Sequence, residues 1–411
     1  MSLMATGNDI LFFWVARMVM LGYELTGKLP FQKILLNGII CDAEGRKMSK
    51  SLGNVISPED VIKGATLKEL NERIQESHMA GYLSSVEVER ATKGQKKLFP
   101  KGIPECGVDA LRFTLCSHKT SSQYINFDVN ECHINRLFCN KIWQAAKYVC
   151  LCHDQYPQHL SSMFTDENIT LGNMGHMELW ILSRLYEAIS NVEKGLETFD
   201  FHLCTAALKN FIYYEFCDVY LETTKDILKK GTLNINEDNF DSIVPTSPNP
   251  EGVLSVLRSC IGTSVKAMAP FMPFLAEELY QQFLNLSPKK ERGESIFLTN
   301  FPRKEKLEKW QNKELEEKVK SVMEIVVAVR RLMATNRVQK KDSFRCHVQL
   351  NSSEELANMT PFLRQFKCLT RYDNLTLGMS TISSDRKDST NLGFCTVHLS
   401  LPAVRFTRDV K

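Results

Sequence analysis

Residues 34–54 read Ile34-Leu35-Leu36-Asn37-Gly38-Ile39-Ile40-Cys41-Asp42-Ala43-Glu44-Gly45-Arg46-Lys47-Met48-Ser49-Lys50-Ser51-Leu52-Gly53-Asn54. The first eight form a short apolar run bounded by polar turn residues, the pattern of a parallel strand covered on both faces. The remainder is a polar loop with two lysines three residues apart, two hydroxyls and flanking glycines. A loop leaving the carboxyl end of a parallel strand is where open α/β sheets hold ligands. Lysines neutralise charge as mobile points, while serine hydroxyls and free amides hydrogen-bond oxygens, so the set suits a polyphosphate. On composition alone the bland alternative is a solvated basic turn, since short basic loops are common.

Upstream, Ile10 to Leu21 is too apolar to face water, and after Gly7-Asn8-Asp9 it reads as a buried helix capped by Asn8 or Asp9. Helix then strand gives one closing unit of a parallel sheet, and a complete doubly wound domain needs several. Downstream, residues 61–103 are rich in Lys, Glu and Gln, with helical periodicity over Leu67–Ile74 and Val86–Lys97, and read as a surface helical insertion. Amphipathic helix resumes from Gly107 to Val149. Three long helical patterns, roughly 178–198, 201–229 and 251–285, form a bundle. A charged helix from Glu308 to Thr335 and strands at Phe344–Leu350 and Gly393–Leu401 complete a small α+β tail.

The chain has 411 residues, 51 Lys plus Arg against 48 Asp plus Glu, and 43% hydrophobic residues. That excludes collagen-like and wholly disordered classes and leaves any RNA contact to local patches. Thirteen cysteines without a Cys-x-x-Cys pair read as reduced thiols of an intracellular protein. Ile10 to Tyr23 is interrupted by Arg17 and is too short to span a bilayer, which takes about 20 apolar residues. Nor does it have the basic front end of a signal peptide.

Lys47-Met48-Ser49-Lys50-Ser51 resembles the signature loop of the class I aminoacyl-tRNA synthetases. Within that class, Thr6-Gly7-Asn8-Asp9-Ile10, Phe13-Trp14-Val15-Ala16-Arg17-Met18, Gly53-Asn54-Val55-Ile56, Asp109-Ala110-Leu111-Arg112-Phe113, Asn140-Lys141, Cys217 to Glu222 and Pro270 to Leu279 are similar to the valyl-tRNA synthetase family, in the same order. The resemblance covers roughly residues 5–335. Gly-Ile-Pro-Glu-Cys-Gly at 102–107, after the charged insertion, is similar to the eukaryotic branch.

The resemblance implies an α/β plus all-α fold. Residues 1–116 would be the C-terminal part of a Rossmann-like catalytic domain carrying the insertion at 61–103. A helical stem-contact linker at 117–165, an anticodon-binding bundle at 166–303 and the charged helix with its α+β tail at 304–411 would follow. It implies a valine–tRNA ligase, which activates valine with ATP and transfers it to tRNA(Val). Lys47 and Lys50 would be catalytic. ATP would be bound by Lys47, Met48, Ser49, Lys50, Ser51, Gly7 and Asp9, with Mg2+ arriving on the nucleotide, and Trp14 would wall the valine pocket. On its own residues Trp14 reads as a core aromatic. No resident metal, no membrane and no particular synthetase or elongation-factor complex is implied. The compartment would be the cytosol, with the mitochondrial matrix as the alternative toward which Leu111 to His118 leans.

Class I synthetases carry a second signature, His-x-Gly-His, which does not occur in this sequence; the first histidine is His78. The resemblance therefore implies an N-terminally truncated chain that enters partway through the catalytic fold. The family has a histidine where this chain has Asn37, which can hydrogen-bond but cannot carry charge. The alternative function is a non-catalytic tRNA-binding module or incomplete fragment.

Three weaker patterns take plain readings. Cys150, Cys152 and His153, with Cys132, His133 and Cys139, fit no usual zinc spacing and are expected to be buried thiols. Arg330, Arg331, Arg337, Lys340 and Lys341 read as a solvated helix face or as contacts to tRNA phosphates. Met268, Phe271, Met272 and Phe274, between and beside Pro270 and Pro273, are expected to fill the bundle core.

Overall fold

In the computed structural model, the run Ile34–Cys41 is not one strand but two. The structure describes residues 2–49, 52–119, 121–155, 174–230, 250–285, 295–338, 344–380 and 387–400. In chain order the elements are β1 (Leu3–Gly7), a 3-10 turn and π-helical turn over Asn8–Val15, α1 (Ala16–Thr26), β2 (Lys33–Asn37), β3 (Ile39–Cys41), α2 (Pro58–Lys63), α3 (Leu67–Met79), α4 (Ser85–Leu98), α5 (Val108–Ser117), β4 (Tyr124–Asn126) and α6 (Val129–Asp154). There follow α7 (His176–Thr198), α8 (Phe201–Lys209), a π-helical stretch Asn210–Tyr220, α9 (Leu221–Lys230), α10 (Pro250–Met268), α11 (Pro273–Asn285), α12 (Lys313–Thr335), β5 (Arg345–Leu350), α13 (Ser353–Met359), α14 (Leu363–Thr370), β6 (Leu375–Gly378), β7 (Lys387–Asn391) and β8 (Cys395–Ser400). Contacts divide the chain into two units. One comprises Met1–Thr165, Glu187–Tyr213 and Ile261–Lys306; the other comprises Asp166–Tyr186, Tyr214–Cys260 and Leu307–Lys411.

In the first unit β1 pairs in parallel with β2, from Leu3 opposite Lys33 to Gly7 opposite Asn37. Separately, β3 pairs in parallel with β4, Ile39 opposite Tyr124 and Cys41 opposite Asn126. Gly38 is where the chain passes from one pair to the other. A Cβ there would lie 2.3 Å from the Ser122 carbonyl oxygen and 2.9 Å from the Ile125 side chain, so only glycine lets the backbones approach this closely.

Two expectations of burial fail in this unit. The segment Ile10–Leu21 is helical, but its N-cap is Gly7, with no side chain from Asn8 or Asp9 capping it. Only Val15 along it is buried, while Phe12 is 77% and Met20 70% exposed. Strand β2 is likewise open, with Ile34 and Leu36 exposed, and in β3 Ile40 is exposed and only Cys41 is sealed. The apolar pattern states a need for cover on both faces, and among the described residues nothing meets it.

Residues 61–103 contain a helical hairpin, α3 and α4. Thr66 and Glu69 form a reciprocal capping box at the start of α3, and the Ser84 hydroxyl accepts from the Glu87 amide at the start of α4. Ile74, Leu83 and Ala91 make its small core, with Val88 packed against it. Arg73 pairs with the buried Asp60 of α2.

Helix α5 holds the corner between α10 and α11. Asp109 accepts from the Phe274 and Leu275 amides (3.3 and 2.6 Å), and Arg112 donates to the Pro270 carbonyl at 3.0 Å. A carboxylate thus meets a helix N-terminus and a guanidinium a carbonyl at the preceding helix end, both favourable to the helix dipoles. Met268, Phe271 and Met272 are buried as expected. Phe274, at the first turn of α11, is instead 65% exposed.

In the second unit the Ser183 hydroxyl donates to Glu316, and Arg184 bridges Glu215 and Glu316 at 2.9 and 2.8 Å. These bonds tie α12 to the first half of α7. The tail sheet has strand order β6-β5-β8-β7, with β5 and β6 parallel and the other neighbours antiparallel. Cys346, Val348 and Leu350 on β5 and Cys395, Val397 and Leu399 on β8 place their apolar side chains at alternate, buried positions, the period expected of a sheet packed on one face. His347 is buried on the other face, where its ring meets Thr376 and the Ser380 carbonyl. Arg330 donates to the Leu369 carbonyl, so it anchors α12 to α14; Lys340 and Lys341 lie outside the described residues.

Candidate functional site

The loop after β3 is organised by Asp42 and Asn54, two residues whose types gave no hint of that role. Asp42 is 2% exposed. Its carboxylate accepts from the Glu44 and Arg46 amides (3.1 and 2.9 Å), from Arg46 Nε at 2.9 Å and from Asn54 Nδ2 at 3.0 Å. Burial by itself would raise its pKa. The bonds from Asn54 and Arg46 outweigh that and hold the carboxyl below its ordinary range. Asn54 also accepts from the Ser49 amide at 3.0 Å and donates to the Lys47 carbonyl at 3.4 Å. One asparagine side chain therefore fixes both the start and the middle of the loop.

Of the predicted ligand groups, the structure brings Lys47 and Asp9 together, the ammonium 3.3 Å from Oδ2 with both side chains about half exposed. Gly7 lies beside them, where a Cβ would sit 2.7 Å from Asp9 Oδ1. These groups come from the carboxyl ends of β1 and β3, the expected end of a parallel sheet for a ligand. Met48 and Ser49 are half-buried. Trp14 is 61% exposed. Lys50 and Ser51 lie outside the described residues.

An exposed ion pair is worth about 0–1 kcal/mol. A phosphate chain reaching Lys47 can therefore displace Asp9 at little cost, and the freed carboxylate can accept hydrogen bonds from hydroxyls. A cavity of about 370 Å³ adjoins the loop, lined by Asp42–Glu44, Arg46, Leu52–Ile56, α4 and the start of α6, and its lining does not include Lys47 or Asp9.

No group of three or more His, Cys, Asp or Glu side chains able to hold a metal occurs among the described residues. All thirteen cysteines are free, ten of them buried. Burial pushes the thiols of Cys139, Cys346 and Cys395 up to about 12, which leaves them unreactive. No described helix is long and apolar enough to cross a membrane.

Comparison with known proteins adds two family matches. Residues 1–128 match the model for tRNA synthetases class I (I, L, M and V), and residues 178–350 match the anticodon-binding domain of tRNA ligase. The chain belongs to the class I tRNA synthetases. Its relatives are valine–tRNA ligases. The Caenorhabditis elegans protein is 36% identical over 98% of this chain and 37% of its own length. The mitochondrial form of Sus scrofa is 42% identical over 86% and 30%, and a Homo sapiens form is 41% identical over 81% and 24%. The chain thus spans between about a quarter and two fifths of the relatives it matches. Among solved structures, a LeuRS–tRNA–LeuAMS complex from Agrobacterium radiobacter K84 overlays 76% of this chain and 30% of its own, with a TM-score of 0.46 at 18% identity.

The α/β plus helical-bundle fold class read from the sequence holds for this synthetase chain. Its family signature is the loop that Asp42 and Asn54 organise.

Proposed function

We propose that this chain is the signature-loop and anticodon-binding portion of a valine–tRNA ligase. The observation that carries the reading is Lys47 of the signature loop, which follows β3, resting on Asp9, which follows β1. Lys47 and Lys50 take the ATP phosphates, and Asp9, released from Lys47, accepts from the ribose hydroxyls. The valine carboxylate attacks the α-phosphorus, and the bond to the pyrophosphate oxygen breaks. The lysines stabilise the charge that grows on that leaving group, an electrostatic role commonly worth about 3–4 kcal/mol. Mg2+ arrives as part of the nucleotide substrate. Trp14 bounds the valine side chain from its exposed position, and the valyl group passes to the terminal ribose of tRNA(Val).

For the tRNA, residues 178–350 supply the recognition surface. Among the aromatic rings of this stretch Trp180 and Phe211 are buried, whereas Tyr214 is 55% exposed and is the ring we assign to an unstacked base. We place the protein in the cytosol, in keeping with its free thiols. Amide hydrogen exchange of the chain with and without ATP tests the nucleotide assignment. Slower exchange over residues 42–54 on adding ATP is expected, and exchange indifferent to ATP contradicts it.

A further inference from the structure

The helical insertion touches the signature loop at two points, and both are built rather than incidental. At the first, Gly53 has φ +63°, and a Cβ there would lie 2.9 Å from the Ala91 side chain and 3.2 Å from that of Leu83. Ala91 and Leu83 are two of the three buried residues of the hairpin's own core, so the loop closes directly onto the part of the insertion that cannot yield. At the second, Lys97 near the end of α4 lies 3.2 Å from Glu44, which also pairs with Arg46 at 3.3 Å. Arg46 in turn is held by Asp42. Between the two contacts the loop and α4 are separated by the cavity described above.

The hairpin itself is fastened at its base. Ala65 and Ile103 exchange backbone hydrogen bonds of 2.9 and 2.8 Å, and Arg73 pairs with Asp60. A rigidly based arm that meets a loop at both of its ends, with open space between, limits where that loop can travel.

We infer that the hairpin Leu67–Leu98 is a positioning element for the signature loop, acting through Ala91 and Leu83 on Gly53 and through Lys97 on Glu44. It is not itself catalytic, since none of its residues reaches Lys47 or Asp9. Its consequence for ATP turnover rests on the function proposed above; the bracing does not, so it is tested without nucleotide.

The test is amide hydrogen exchange of the nucleotide-free chain in three variants. Ala91→Leu drives a larger side chain against Gly53, and exchange over residues 42–54 is expected to rise about tenfold while α6 stays as slow as before. Lys97→Glu repels Glu44, and a rise of about two- to threefold is expected, as suits an exposed pair. The charge swap Glu44→Lys/Lys97→Glu should recover part of that rise, short of the original rate because Arg46 then faces a second cation, and a general loss of stability would not allow any recovery. Loop exchange that stays at the wild-type rate in Ala91→Leu overturns the proposal, and it does so equally if the hairpin melts and the loop remains unmoved. So does a swap that fails to rescue Lys97→Glu. An ATP effect that is absent while these loop responses are present would sink the nucleotide reading and leave the brace standing.

Discussion

Two apolar helical segments of this chain resemble each other in sequence and sit in opposite surroundings. Val253, Val256, Leu257, Cys260 and Val265 of α10 are sealed from solvent. In the segment Leu11–Leu21, Phe12, Phe13, Trp14, Met20 and Leu21 are all more than half exposed. Periodicity and composition report what a segment needs for burial; they are silent on whether the same chain supplies the cover. Around α10 the bundle supplies it. Around α1 and β2 no described residue does, and the candidate ligand groups lie on this open side.

The sharpest way to break that comparison is to truncate one aromatic of the exposed segment and one of α11, the helix that follows α10. Phe283, fully buried in α11, should lose about 3–5 kcal/mol on Phe283→Ala through lost transfer energy and the cavity left behind. Phe12→Ala should shift the urea midpoint by no more than about 0.5 kcal/mol equivalent. Equal losses would show that the Leu11–Leu21 surface is covered in solution.

Next in size is Gly38→Ala. A Cβ against the Ser122 carbonyl forces the backbones apart, and overpacking of this kind costs about 1–3 kcal/mol. Loss of protection at the Ile39 amide, which donates to Gln123 O, would report it. Unchanged protection would mean that β3 and β4 are not held this close.

Asp109→Ala removes the acceptor at the start of α11 and should cost about 0.5–2 kcal/mol, the usual range for a lost helix cap. Urea unfolding of that variant checks it. Asp109 and Asp42 should also respond to acid with opposite signs. Burial raises Asp109 above the ordinary 3.8, against the pull of the Leu275 and Phe274 amides and Arg112. Its titration therefore favours the fold below 3.8, an advantage lost as pH rises through the raised folded value. For Asp42 the net shift is downward. Its contribution is present above 3.8 and is lost as pH falls through the lowered folded value. Exchange measured from pH 5 downward should show loop amides opening in acid while the first turn of α11 does not.

Much of this was legible in the sequence, for stated reasons. The hairpin helices announced themselves by periodicity over Leu67–Ile74 and Val86–Lys97. The signature loop was legible because its residue types carry their chemistry with them. Other features depend on contacts that sequence spacing cannot show. The break at Gly38 is set by Ser122, and β1 and β4 are too short to stand out from their neighbours. The 3-10 and π-helical turns of Asn8–Val15 replaced a side-chain cap. Asp42 and Asn54 earn their place in the loop only when folding brings Asn54 to the start of it. The Lys97–Glu44 pair joins residues from separate segments and has no sequence signature at all.

The smallest expected effect is at the ion pair itself. Asp9→Asn should leave thermal stability unchanged to within about 0.5 kcal/mol, because both partners are about half exposed, and a larger loss would make the pair structural.

Valine-dependent ATP–pyrophosphate exchange by a complete ligase that carries this chain as its signature-loop portion, compared with its Lys50→Ala variant, tests the central claim most directly. The account predicts exchange that requires valine and is abolished by the substitution; exchange that proceeds unchanged in Lys50→Ala would contradict it.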